Sequence, residues 1–230
     1  MFQLQEVRKS YVRRGHAVTA LGSSSLTIPR GDYAAIVGPS GSGKSTLLSV
    51  LGGMLTPDSG KVLLDGASLY DLPVAKRTAF RRERIGFVFQ TFNLVPYLTA
   101  LENVQIPLYL AGLAAAQQQA RAEELLGRVG LGERMHHKPS ELSTGQQQRV
   151  ALARTLANDP PVILADEPTG NLDPDSRRIV LDFFDQLHEE GRTILVVTHD
   201  AIVADRAKRL FHLADGAITD QSDTSKLRVA

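Results

Sequence analysis

At 230 residues, with 26 basic and 25 acidic side chains and a formal net charge of +1, the chain can bury a substantial core and carries no electrostatic footprint for nucleic acid. It has no cysteine, which excludes disulfides and thiolate-held metals. No apolar run reaches the roughly 18 residues of a membrane span, so a soluble chain is expected, one that borrows a membrane partner if it works at a membrane. The start, Met1-Phe2-Gln3-Leu4-Gln5-Glu6, has neither the basic n-region nor the apolar h-region of a secretory signal. Residues 2–7 alternate apolar and polar side chains, the period of a half-buried strand. Lys9, Ser10 and Tyr11 lead into a charged turn at Arg13-Arg14-Gly15, and a second strand is predicted from Ala17 to Ile28. Pro29-Arg30-Gly31-Asp32 then turns the chain into Tyr33-Ala34-Ala35-Ile36-Val37, an apolar run that reads as a buried strand.

The stretch that follows, Gly38-Pro39-Ser40-Gly41-Ser42-Gly43-Lys44-Ser45-Thr46, has the pattern G-x-x-x-x-G-K-[ST], and Leu47-Leu48-Ser49-Val50-Leu51 after it reads as helix. That is a phosphate-binding loop in its strand–turn–helix setting. Residues without a Cβ let backbone N–H groups curl around phosphate oxygens, and the helix that starts there aims its positive end at the same anion. Lys44 would reach the β- and γ-phosphates as a point charge, and the Ser45 hydroxyl would ligate Mg²⁺. A nucleoside triphosphate is the predicted ligand.

Beyond the loop, a turn at residues 57–60 hands over to a short strand over residues 61–66. Residues 73–84 form a basic helix (Lys76, Arg77, Arg81, Arg82, Arg84) whose simplest reading is a solvated face. Residues 85–90 read as a buried strand ending at Gln90. From residue 92 to 159 the apolar period becomes helical, with helices predicted at 99–110, 114–129 and 144–157, the start of the second being an exposed Ala/Gln-rich surface. The core resumes with a continuous apolar strand at residues 161–167, a helix at 174–190 opened by Pro174 and closed by Gly191, a buried strand at 193–199, a short helix at 200–206 and a closing hairpin around Asp215-Gly216. The polar tail after Thr219 is expected to fray. No internal repeat is visible.

Asp166, at the end of an apolar strand, is placed to hold Mg²⁺ directly or through water. Glu167, one residue on, is expected to face the other way and could orient or deprotonate an attacking water. Ser143 followed three residues later by Gln146 makes a capping box at the start of a helix. Adjacent His136 and His137 lack the i, i+4 spacing of a helical zinc pair.

Taken together, Tyr11, the GPSGSGKST loop, FVFQ ending at Gln90, LSTGQ at residues 142–146, ILADE ending at Glu167, NLD at residues 171–173 and THD with His199 occur in the order found in ATP-binding-cassette (ABC) ATPases, and the whole chain resembles that family. The resemblance implies an α/β fold: a P-loop NTPase (RecA-like) core with a parallel sheet, an N-terminal antiparallel β-subdomain and an inserted α-helical subdomain. One ABC ATPase domain would cover residues 1–230, with 92–159 as the helical signature part. It implies ATP and Mg²⁺ as cofactors, held by residues 38–46, with Ser45, Gln90 and Asp166 at the metal. Tyr11 would stack on adenine, and Gln90 would touch Mg²⁺ or the attacking water. Glu167, His199, Gln90 and Lys44 would serve catalysis. Ser143 and Gly145, with Gln146 in the same set, would bind the γ-phosphate held by a second subunit, and Asp173 would contact that subunit. Thr144 departs from the family's usual second glycine, and Asn171 from the usual small residues before Leu-Asp. A Cβ and methyl at Thr144 bear on hydrolysis rate more than on nucleotide binding.

Within the family the chain is most similar to ATPases of lipoprotein release, macrolide export and FtsEX-type division complexes. The carrying residues are 89–104, His136-His137-Lys138-Pro139 and Asp166-Glu167-Pro168-Thr169-Gly170-Asn171-Leu172-Asp173. The likeness implies a head-to-tail homodimer at the inner face of the plasma membrane, bound to a permease with a large extracytoplasmic domain and no nucleic acid. Two functions stay open: an ATPase driving export of a lipoprotein, peptide, macrolide-like or heme-like substrate, and a mechanical regulator that signals through a membrane protein without moving a substrate.

Overall fold

The protein is described from a computed structural model covering residues 2–13 and 15–221. Met1, Arg14 of the charged turn, and residues 222–230 of the polar tail lie outside the described residues. The chain opens with two long strands, β1 (Phe2–Arg13) and β2 (His16–Ile28), joined as an antiparallel hairpin. β1 runs well past residue 7, where its alternation breaks. Glu6 adopts φ 50° and the pairing with β2 shifts register between Leu4 and Val7. This bulge moves the inward set from Phe2 and Leu4 to Val7, all three buried, and lets the strand continue to Tyr11.

β3 (Tyr33–Val37), α1 (Lys44–Leu51), β4 (Ser59–Leu64), the short β5 (Ala67–Ser68), α2 (Val74–Arg84) and β6 (Ile85–Val88) follow. α2 buries none of its residues, as its basic composition predicts. Next come α3 (Ala100–Leu110), α4 (Ala115–Arg128), α5 (Thr144–Thr155), β7 (Val162–Asp166), α6 (Pro174–Glu189), β8 (Thr193–Thr198), α7 (Ala201–Ala204), β9 (Arg209–Ala214) and β10 (Ala217–Asp220). The helix expected over 200–206 is a single turn, because Asp200 caps it at one end and Asp205 already closes it at the other.

Two sheets form. The first, in the order β2-β1-β4-β5, is antiparallel. The second, in the order β10-β9-β3-β8-β7-β6, is parallel from β9 to β6, with β10 as an antiparallel edge. Its central strands are apolar on both faces, and those faces feed two cores. Ile163, Ala165, Ile194 and Val196 pack with α3–α6, including Val104, Leu125, Val150 and Phe184. Val162, Leu164, Leu195 and Val197 pack with α1 and the antiparallel sheet, including Leu47, Leu48, Phe2 and Val62. The sheet is thus a shared wall between the helical layer and the N-terminal layer.

Register fixes the functional edge. Val37 pairs with Thr198, and Asp166 with Val197, while Val88 pairs with Ala165. The segments leaving β3, β8, β7 and β6 therefore emerge side by side at the carboxyl ends of adjacent strands, where open α/β sheets bind ligands.

The loop between β6 and α3 is held from inside the helix. Asn103, 0% exposed, donates through Nδ2 to the carbonyls of Val95, Leu98 and Thr99, and accepts the Val95 N–H on Oδ1. Asn103→Ala removes that whole set, takes the side-chain partner from the part-buried Val95 N–H and Leu98 carbonyl, and leaves a cavity where a fully buried amide stood. The expected cost is about 2–4 kcal/mol, read by urea unfolding.

Candidate functional site

The loop from Gly38 to Gly43 joins β3 to α1, and its first and last glycines meet backbone at close range. A Cβ on Gly38 would sit 2.1 Å from the Leu213 carbonyl oxygen, and one on Gly43, whose φ is 103°, would sit 2.2 Å from that of Ala20. Lys44, only 8% exposed, donates through Nζ to the carbonyls of Gly38 (2.7 Å) and Pro39 (3.0 Å). Ser42 is buried and its Oγ has no partner. The start of α1 has no side-chain cap and no acid in its first turn, unlike α3, α5 and α6, which Thr99, Ser143 and Asp173 cap. A loop with unclaimed N–H groups, an orphaned hydroxyl and a lysine fits a phosphate chain.

The loop floors a cleft of about 430 Å³ whose walls include Ser40, Gly41, Gly43, Lys44, Ser45 and Thr46. Gly38, Pro39 and Ser42 shape the loop from behind. Gln90, Asp166, Glu167 and His199 close the far side, each at the end of its own strand or one strand's pair, and Tyr11 stands at the mouth. The Tyr11 hydroxyl is 3.3 Å from Thr46 Oγ1, and the residue is 41% exposed.

Glu167 does not face away from Asp166, as strand alternation predicts; both line the cleft. β7 ends at Asp166, and Glu167 takes φ 43°, a left-handed turn that swings its side chain back. Its carboxylate is then held on both oxygens. Oε1 lies 2.7 Å from His199 Nδ1, and Oε2 accepts the Thr198 hydroxyl at 2.9 Å. Glu167 is 12% exposed whereas His199 is 67% exposed, so the histidine forms the solvent-side cover of the acid.

Burial pushes the Asp166 carboxyl above the usual range, and the nearby Glu167 charge adds to the rise, while a hydrogen bond from Ser45 and the Lys44 charge oppose it. The folded chain binds a proton at Asp166 more tightly than the unfolded chain does, so stability falls as pH climbs from the ordinary carboxylate range through the raised value. Asp166→Asn is expected to melt higher than the parent at pH 7.5 without nucleotide and metal. The gap should shrink toward pH ~4, where the unfolded carboxylate also protonates.

Val18, Thr19 and Ala20 also line the cleft, which the sequence reading did not single out. The signal lay in the hairpin: Tyr11 pairs directly with Val18, so an aromatic at the mouth brings its cross-strand neighbour with it.

Ser143, Gly145, Gln146 and Asp173 are not among the residues lining this cleft. Ser143 caps α5, accepting the Gln146 N–H at 3.3 Å while its own N–H donates to Gln146 Oε1 at 2.9 Å. Ser143 and Thr144 are exposed, whereas Gly145 is buried against α6, where a Cβ would meet Ser176 Oγ at 2.1 Å. Asp173 caps α6 by accepting the N–H groups of Asp175 and Ser176. Hydrogen bonds from Ser176 hold its carboxyl below the usual range.

A family profile described as ABC transporter matches residues 21–170. An uncharacterised ABC transporter ATP-binding protein of Thermotoga maritima is 49% identical over 218 residues, which cover 95% of this chain and 93% of that protein. The macrolide export ATP-binding/permease protein MacB of Hyphomonas neptunium is 48% identical over 222 residues, 96% of this chain but 34% of that longer protein. Among solved structures, the dimeric post-hydrolysis state of the ATP-binding cassette MJ0796 bound to ADP and Pi matches with a TM-score of 0.90 at 43% identity, covering 96% of this chain and 98% of that one. Because the profile spans residues 21–170 and both the Thermotoga protein and the solved cassette match nearly end to end, the chain belongs to the ABC transporter family, as one of its nucleotide-binding, ATP-hydrolysing cassettes.

Proposed function

We propose that two copies of this chain close head to tail around two Mg·ATP and thereby drive a membrane permease. One observation carries the dimer: the exposed, serine-capped N-terminus of α5 lies outside the chain's own cleft, so its anion-seeking end needs the phosphates of another copy. The similar solved cassette is itself described as dimeric. Ser143, Gly145 and Gln146 would complete the partner's site, and Asp173 would touch that partner.

Within each cleft, Tyr11 stacks on the base, residues 38–46 wrap the phosphates, and Lys44 leaves its carbonyl partners for the β- and γ-phosphates. Ser45, Gln90 and Asp166 would hold Mg²⁺, which supplies positive charge to the phosphate oxygens. The raised Asp166 carboxyl and the Ser45 hydroxyl beside it fit such an ion. Glu167 orients the attacking water and takes its proton as the oxygen bonds to the γ-phosphorus. The bond to the β–γ bridging oxygen breaks, leaving ADP and phosphate. His199 and Thr198 hold Glu167 in line for that transfer.

A groove of about 440 Å³ beside Gln90 has an apolar floor of Phe87, Phe89, Ile106 and Leu110, with Arg82 and Arg154 at its sides. The stacked rings of Phe87 and Phe89 make a firm apolar surface for a permease segment. Arg154, its guanidinium desolvated, donates to the carbonyls of Phe92 and Asn93 and so links this groove to α5. No helix among the described residues is long and apolar enough to cross a membrane. Matching about a third of MacB at 34% of its length, the chain would sit at the inner face of the plasma membrane and supply ATP hydrolysis to a separate permease with a large extracytoplasmic domain. Export of a lipoprotein, peptide, macrolide-like or heme-like substrate is the reading that the likeness to the macrolide export protein MacB favours. Purifying tagged Glu167→Gln with ATP from detergent-solubilised membranes of the native host tests it. A polytopic membrane partner is expected; a preparation with only soluble or ribosomal partners overturns the permease reading.

A further inference from the structure

Away from the cleft, one ion pair joins the first turns of α6 to the segment that carries His199. Arg177 Nη1 lies 3.0 Å from Asp200 Oδ2, with the two side chains only 29% and 24% exposed. Arg177 stands one turn into α6 from Asp173, and its backbone N–H bonds the Asp173 carbonyl at 2.9 Å. On the other side, Asp200 has every polar group committed. Its Oδ1 accepts the Ile202 N–H at 2.9 Å and so caps α7, while its own N–H donates to Thr198 Oγ1 at 3.0 Å. That hydroxyl in turn donates to Glu167 Oε2, and His199, between Thr198 and Asp200, reaches Glu167 Oε1. The path from the cap of α6 to the acid of the cleft is unbroken.

The far end of the same segment is tied to the same helix. Arg206, just beyond α7, pairs with Asp182 and Asp185 on α6. The stretch from Thr198 to Arg206 is therefore bracketed by α6 at both ends. Arg177 Nε is buried without a partner, so this side chain is placed to grip Asp200 and not to satisfy all its donors.

We propose that Arg177 is a positioning residue for hydrolysis. Its ion pair with Asp200 holds Thr198 and His199 against Glu167, and so makes the geometry of the cleft depend on where the Asp173 end of α6 sits. This rests on the reading above that Glu167 and His199 act in hydrolysis. Losing the guanidinium leaves Asp200 partly desolvated and unpaired on that side, free to turn with its capped helix and carry His199 with it.

The test is steady-state ATP hydrolysis by the full chain with Mg²⁺, comparing Arg177→Ala, Arg177→Lys and Asp200→Asn with the parent. Arg177→Ala is expected to lower kcat roughly 5- to 10-fold with nucleotide affinity near that of the parent and Tm within about 2 °C. Arg177→Lys keeps the charge and is expected to recover most of the lost rate. Asp200→Asn keeps the cap of α7 and is expected to match Arg177→Ala, with no further loss in the double variant. Placed on a His199→Ala background, Arg177→Ala should change little. Parent-level kcat in Arg177→Ala overturns the proposal, as does a fall in Tm that tracks the rate and is not rescued by lysine, or an equal loss on the His199→Ala background. Glu167→Gln, assayed alongside, reports separately on the underlying reading. Full turnover in that variant overturns the role of Glu167, whereas full turnover in Arg177→Ala overturns the clasp alone.

Discussion

Replacing Glu167 with glutamine lowers ATP turnover roughly 10²- to 10⁴-fold, the range associated with a positioned general base. The change is isosteric and leaves the binding loop untouched. Thr198 still has an oxygen to donate to, but the carboxylate proposed to take the proton of water is gone. Because ATP would be bound and not consumed, the proposed head-to-tail dimer should accumulate. Size-exclusion chromatography with ATP and Mg²⁺ is expected to show a shift to twice the monomer mass, absent without nucleotide. A Glu167→Gln chain that forms no more dimer with ATP than without it removes the head-to-tail model. A variant that still hydrolyses at the parent rate removes Glu167 from the chemistry.

Gly43→Ala should weaken nucleotide binding roughly 30-fold or more without unfolding the protein. Gly43 sits at φ 103°, where a Cβ is strained, and that Cβ would also lie 2.2 Å from the Ala20 carbonyl oxygen. Strain and forced displacement together cost about 2–5 kcal/mol. The displaced parts are the first residue before α1 and a wall of the cleft itself, so much of the cost falls on binding. An affinity loss of roughly 30-fold or more is expected, since ~2 kcal/mol already gives that factor. Gly41→Ala provides the comparison. Its φ of 81° is strained too, but a Cβ there meets nothing within 4 Å, so only about 1–2 kcal/mol is at stake. Titration with a fluorescent ATP analogue, beside thermal melts, separates the two. Equal effects at both positions would show that the contact with Ala20 is not what demands glycine.

Much of this site was legible because its parts are local. The binding loop announces itself through spacing and the strand and helix around it, and three continuous apolar strands imply a parallel sheet whose ends lie together. What stayed hidden depends on segments remote in sequence. The bend at Glu167 comes from a single left-handed residue that strand alternation cannot foresee. The bulge at Glu6 lengthens β1 and so delivers Val18 to Ala20 to the cleft, a matter of register between two strands. Asn103 is one polar residue in a predicted helix; its place is set by the carbonyls of the preceding segment that its amide bonds. Arg177 and Asp200 stand on different elements, and nothing in either local pattern links them.

Lys44 illustrates how the cleft can be ready before its nucleotide arrives. Its ammonium rests on the carbonyls of Gly38 and Pro39, and the loop is further closed by the Ser42 N–H on the Pro39 carbonyl at 3.2 Å. Binding is then an exchange of partners on a preorganised frame, with little backbone left to order. The entropy of shaping the loop was spent in folding, at a glycine-rich segment where it is greatest. A frame already shaped in this way would favour fast capture of nucleotide, and under the proposed head-to-tail pairing the larger rearrangement would fall at the meeting of two loaded copies.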